Sequence, residues 1–166
     1  MLMERAPEFC DLQFLVMPSF GPETLLSIYR VDRGYEAQVL TPKQQVYAFE
    51  GRVSEIECTE AKKSLPVKTA ERLCGAWKQM LLRTRDTVSP PRVLDGVGYA
   101  FIRYERGLGH LSGESSNPEQ GTRPYVLAEI GEAVVDYVQA ESALEQAFVT
   151  TMAKSLDQLE ASLQTK

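Results

Sequence analysis

The chain has 166 residues, 43% of them hydrophobic and 25% charged, an ordinary balance for a single globular domain spanning 1–166. Its 23 acidic residues outnumber 18 basic ones, giving a net charge of -5, and this argues against nucleic acid as a partner, because such binding rests on Lys and Arg neutralising phosphate. No run of about 18 apolar residues occurs, which excludes a transmembrane helix, and residues 1–5 lack the apolar centre of a signal peptide, so cytoplasm is the default expectation and periplasm the alternative if an export signal has been removed.

In chain order, residues 12–16 alternate weakly and end before Pro18, which predicts a first strand. Two stronger runs, 24–31 and 35–40, flank Asp32, Arg33 and Gly34. These three residues predict a hairpin loop in which Gly34 takes positive φ. Residues 46–49 and 53–59 flank Glu50 and Gly51 and read as a further pair of strands, with Ile56 and Cys58 on one face of the second.

The period then changes. Ala70, Leu73, Cys74, Trp77, Met80 and Leu81 follow the i, i+3, i+4, i+7 spacing of an amphipathic helix over 67–83, entered at Pro66. Arg83 and Arg85 suit the negative end of its dipole, and Trp77 is expected to be a core anchor. Asp95 and Gly96 then launch a strand through 104, with Val97, Tyr99 and Phe101 on one face and Gly98, Ala100 and Ile102 on the other. Thr122 or Arg123 caps a helix with Pro124 in its first turn, its stripe formed by Leu127, Ile130, Val134, Tyr137 and Val138. Ser142 and Glu145 have the spacing of a capping box, which predicts a separate last helix of about 22 residues. Its stripe is Leu144, Phe148, Met152, Leu156, Leu159 and Leu163. The pattern indicates an α+β fold: an antiparallel sheet of about five to six strands packed by two or three helices, with a long C-terminal helix.

Between strand and helix, residues 105–121 are polar and rich in Gly and Ser. Two readings stay open. One is a long exposed loop pinned at both ends, the way a scaffold presents a binding surface. The other is a plain hairpin, turning at Gly107 to Gly109 and returning as an edge strand over 110–113.

The familiar catalytic motifs are missing from the sequence. The glycines at 107, 109 and 113 lack both the spacing and the Lys of a phosphate loop, and Ser112 is not in a nucleophile elbow. His110 is the only histidine, too few for a zinc site of the usual kind. Cys10, Cys58 and Cys74 show no metal spacing and read as small buried hydrophobes, with a Cys58–Cys74 bridge the alternative in an oxidising compartment. No catalytic residue, cofactor or metal is therefore assigned. An acidic surface favours a cationic partner.

Residues 17–20 (Met-Pro-Ser-Phe), Leu94-Asp95-Gly96 before an aromatic strand, and Ser116-Asn117-Pro118 with Gly121 ahead of a helix resemble a loose group of small proteobacterial proteins. Proteins of this size, acidity and build include immunity proteins that neutralise antibacterial effectors, such as those delivered by type VI secretion. The resemblance covers about 77–137. Asn117 separates Ser116 from Pro118, where the group has Ser-Pro, and the aromatic that often precedes that pair is missing, so no functional residue is carried over.

The missing catalytic set, the acidic balance and the long pinned segment predict a non-enzymatic binding protein that occludes the active site of a basic toxin, and the resemblance points the same way. The candidate contacts are Glu105, Arg106, His110, Ser112, Glu114, Ser115, Asn117 and Glu119. The alternatives are a hydrolase built around His110, and an adaptor that forms a homodimer through its C-terminal helix.

Overall fold

Alternating apolar residues build the sheet, and their two faces meet different fates. The computed structural model describes residues 2–7, 9–46, 55–84, 95–141 and 145–164. Its strands are β1 (Leu12–Pro18), β2 (Thr24–Val31), β3 (Gly34–Pro42), β4 (Cys58–Leu65), β5 (Val97–Glu105) and β6 (Gly109–Ser116), and its helices are α1 (Val67–Leu82), α2 (Arg123–Gln139) and α3 (Glu145–Gln164). The strands form one six-stranded sheet in the order β4-β3-β2-β1-β5-β6. Every pairing is antiparallel, and α1 carries the chain from the β4 edge back to the vacant side of β1. The fold is α+β, as the element pattern predicts.

All three helices cover one face. There Leu12 and Phe14 of β1, Leu26 and Ile28 of β2, Tyr35, Ala37 and Val39 of β3, and Tyr99 and Phe101 of β5 pack against Leu73 and Trp77 of α1, Ile130 and Val134 of α2, and Met152 and Leu156 of α3. Trp77 is 1% exposed and meets Phe14 and Phe101 edge-on, with ring centroids 6.1 and 5.8 Å apart. That is the core anchor its helical spacing predicts, and burying a side chain of this kind stabilises by roughly 2–3 kcal/mol. The opposite face carries a smaller cluster, Leu15, Leu25, Leu40 and Ala100, capped by Leu2 from a 3₁₀ turn at Leu2–Arg5. Arg5 holds that turn in place by donating to the Ile56 carbonyl, 2.7 Å away.

Helix α3 is fastened at its start by Lys63, which donates to Glu145 at 3.0 Å, and more firmly through its second half. Met152, Leu156, Leu159 and Leu163 are buried within the chain, and Arg72 of α1 donates to Asp157 and Glu160 at 2.6 and 2.9 Å. Arg83 donates to the Leu163 carbonyl at 2.8 Å, and Arg123 to the Ser162 carbonyl. Arg83 thus serves the negative end of α3 rather than only its own helix. Leu144 lies outside the described residues; from Phe148 on, the stripe that a second copy would need for a two-helix contact is occupied internally.

Several expectations are corrected. The 24–40 hairpin turns through two residues, because Val31 pairs with Gly34, and Gly34 is not among the positive-φ glycines. The fourth strand begins at Cys58 and runs to Leu65, farther along than 53–59; its Lys62 and Lys63 are typical of an edge. The 46–49 strand, apart from Val46, and the capping Ser142 lie outside the described residues, as does Arg85. Cys58 packs with the smaller cluster and Cys74 with the larger, so the sheet separates them and both are free thiols. Among the described residues no helix is long and apolar enough to cross a membrane.

Candidate functional site

Residues 105–116 form the edge hairpin, not a long loop, and 117–121 lead on to α2. Gly107 and Gly109 take φ of 88° and 83°, a conformation that glycine adopts without strain, and the chain returns at once as β6. Register then assigns every residue a face. Gly98 lies opposite Ser116, Ala100 opposite Glu114, Ile102 opposite Ser112 and Tyr104 opposite His110. These pairs point away from the helices. Ser115, opposite Tyr99, and Glu105, opposite Gly109, point toward them.

Burial along β6 follows this alternation: His110, Ser112, Glu114 and Ser116 are exposed, and the residues between them are half-buried. His110 and Tyr104 meet edge-on at 5.4 Å, and Tyr104 is 54% exposed. Among the described residues no strand pairs with the outer edge of β6. The hairpin therefore offers an exposed polar face with one acid and one imidazole, beside a row of unpaired backbone groups. Arg106 and Leu108 are exposed at its tip.

Three of the candidates have structural work instead. The Glu105 carboxylate accepts from Lys78 at 2.7 Å and from Arg103 at 3.2 Å, and Arg103 also donates to the Cys74 carbonyl at 2.9 Å. These bonds tie the end of β5 to α1. The Lys78 ammonium, and secondarily the Arg103 guanidinium, hold the Glu105 carboxyl below its ordinary range. Asn117, at φ 45°, accepts from the Val97 N–H at 2.8 Å and donates to the Asp95 carbonyl at 3.0 Å, which closes the open end of the hairpin. The Glu119 carbonyl accepts from the Thr122 hydroxyl at 2.6 Å, and Thr122 in turn caps α2 by accepting from the Tyr125 N–H.

Among the described residues, His110 stands apart from Ser112 and from the thiols that could serve as its nucleophile. Ser112 is two residues along the same face, about 7 Å by strand geometry. The Cys10 thiol is tied to the Pro7 carbonyl at 3.1 Å, and a Ser27 hydroxyl on β2 lies beside it. From β2 to β6 is three strand spacings, about 14 Å. Cys74 is on the other side of the sheet. Among the described residues no group of three His, Cys, Asp or Glu side chains converges as a metal site requires.

Next to the hairpin's open end lies a recess of about 350 Å³, lined by Val97, Tyr99, Asn117, Pro118, Tyr125, Ala128, Glu129 and Glu132. The Tyr99 hydroxyl donates to Glu132 at 2.8 Å. Burial first, and then that carboxylate, push the Tyr99 phenol well up; Tyr125 is raised chiefly by the charge of Glu129. Of this lining, sequence reasoning singled out only Asn117 as a site residue. A signal was present: Tyr125, Glu129, Glu132 and Asp136 recur at i, i+4, i+7 and i+11, one stripe of α2 opposite its apolar one. Only the tertiary fold shows that Tyr99 faces that stripe. No known protein family matches the chain, and comparison with curated proteins found no match.

Proposed function

We propose that this chain is a non-enzymatic binding protein of the immunity type, which neutralises a basic toxin by covering its active site with the β5–β6 edge. The observation that carries this reading is the hairpin itself. Tyr104, His110, Ser112 and Glu114 share one exposed face of an edge strand whose other face is anchored to the core. A rigid element needs little ordering on association, which favours affinity. The unpaired strand edge adds main-chain groups of the kind used when a partner segment extends a sheet. Net charge of -5 would speed encounter with a basic partner and discriminate against acidic ones. The resemblance to immunity proteins supports the same reading.

The hydrolase reading is less favoured, because His110 is exposed and no thiol stands on its part of the sheet. The adaptor reading is less favoured because the apolar stripe of α3 is buried within the chain. The test is protection: bacteria made to produce the product of the adjacent gene should stop growing, and co-production of this chain should restore growth. Failure of protection with both proteins present in soluble form would overturn the reading.

A further inference from the structure

We propose that the recess between α2 and the start of β5 is a binding site for an organic cation, a guanidinium or ammonium group of the kind carried by Arg and Lys side chains. The inference goes beyond the toxin reading and does not require it.

Hydrogen-bond capacity gives the first reason. The Asn117 amide accepts from Val97 and donates to Asp95, keeping one N–H to give, and the Tyr99 hydroxyl is given to Glu132. What the recess has left is mainly acceptor capacity on the Glu129 and Glu132 carboxylates, against one Asn117 N–H and the Tyr125 hydroxyl, and an ionised carboxylate accepts without donating. A ligand rich in donors and free of acceptors complements that. Charge gives the second reason. Glu129 and Glu132 are one helical turn apart, where like charges repel. Among the described residues neither is in an ion pair with a basic group.

Shape and wall chemistry narrow the ligand. A volume of about 350 Å³ lies in the range of small-ligand sites. Tyr99, Tyr125, Val97 and Pro118 supply aromatic and apolar wall, and planar guanidinium groups stack on aromatic faces as well as bonding carboxylates. A hydrated metal ion would gain nothing from those walls. The site is also held in shape, since Asn117 pins the strand end and Thr122 caps the helix that carries both carboxylates. Tyr125 already senses the negative field through Glu129.

The test is a two-dimensional amide NMR titration of the full chain with N-acetyl-arginine amide. Saturable shifts at Val97, Asn117, Tyr125, Ala128, Glu129 and Glu132 are expected. The neutral isostere N-acetyl-citrulline amide should leave them in place. Glu129→Gln combined with Glu132→Gln should raise Kd at least about tenfold, as losing hydrogen bonds to charged groups does. Both side chains are on exposed residues, and a dispersed spectrum would show that the variant folds. Shifts scattered over unrelated acidic residues, equal shifts with citrulline, or unchanged binding by the double variant would overturn the proposal. Agmatine and an Arg-containing peptide separate the sources: tighter binding of the peptide assigns the site to a protein side chain, and tighter binding of agmatine to a free amine, both supporting a cation site.

Discussion

Gly131 should be worth more to this fold than the alanine that helix propensity would prefer. It sits in the middle of α2, where Ala is favoured over Gly by about 0.8–1.0 kcal/mol. A Cβ there would stand only 2.6 and 2.7 Å from Cδ1 and Cζ of Phe14, against an ordinary contact of 3.4–4 Å. The ring would have to retreat by about 1 Å. It has nowhere to go, being wholly buried between Trp77, Tyr99 and Phe101 at centroid distances of 6.1, 5.7 and 5.3 Å. Overpacking of this kind costs about 1–3 kcal/mol, occasionally more.

Net of propensity, Gly131→Ala should destabilise by up to about 2 kcal/mol, a fall in Tm of up to about 8 °C for a chain of this size. Urea and thermal unfolding measure it. Gly75→Ala is the internal control: nothing lies within 4 Å of its Cβ position on α1, so it should stabilise by up to about 1 kcal/mol. Adding Phe14→Leu should make the Gly131→Ala cost smaller than it is beside Phe14. If Gly131→Ala stabilised as Gly75→Ala does, α2 would not lie this close to β1, and the helix-face packing described above would be wrong.

Asn117→Ala should cost about 1–3 kcal/mol, from two lost hydrogen bonds and a left-handed backbone without its polar side chain. Asn117→Gly should cost less, since it loses the bonds but not the conformation; the reverse order in urea unfolding would refute the pinning role. Glu105 has its folded pKa held below the ordinary 4.5, so it binds fewer protons folded than unfolded. Its contribution is present above about pH 4.5 and lost as pH falls through the folded value. Glu105→Gln should therefore flatten the acid limb of a stability-pH profile, and an unchanged limb would argue against the Lys78 and Arg103 contacts. Burial raises the Cys74 thiol, so it should resist a thiol reagent until the chain unfolds. All three cysteines should titrate without reductant, and a Cys58–Cys74 crosslink would contradict their separation by the sheet.

The elements that sequence revealed are those whose burial pattern is unambiguous. α1 shows a full 3.6-residue stripe because one side meets the sheet and the other meets water. β5 alternates because it lies inside the sheet. Edge strands carry weaker patterns. β6 has Leu111 as its only large apolar residue, and at 113 a glycine lets α1 approach closely: a Cβ there would lie 3.2 Å from Thr84 Oγ1 and 3.3 Å from Leu81 Cδ2, which would have to yield slightly. A glycine that eases close packing thus reads as a loop residue. β4 is obscured by its lysines for the related reason that edges favour charge. The site was legible as a segment but not as a surface, since only register separates His110, Ser112 and Glu114 from Ser115 and Glu105. The recess needed the tertiary fold, which brings Tyr99 of β5 against Glu132 of α2.

The central claim is that recognition resides on the exposed face of β6. The direct measurement is calorimetric titration of the adjacent gene's product with the wild-type chain and with a His110→Ala, Ser112→Ala, Glu114→Ala triple variant, all three on exposed residues and so compatible with folding. The account predicts saturable one-to-one binding by the wild type and at least about a 100-fold loss in the variant, the roughly 3 kcal/mol that a few hot-spot side chains carry. Unchanged affinity in the folded variant would place recognition elsewhere and contradict it.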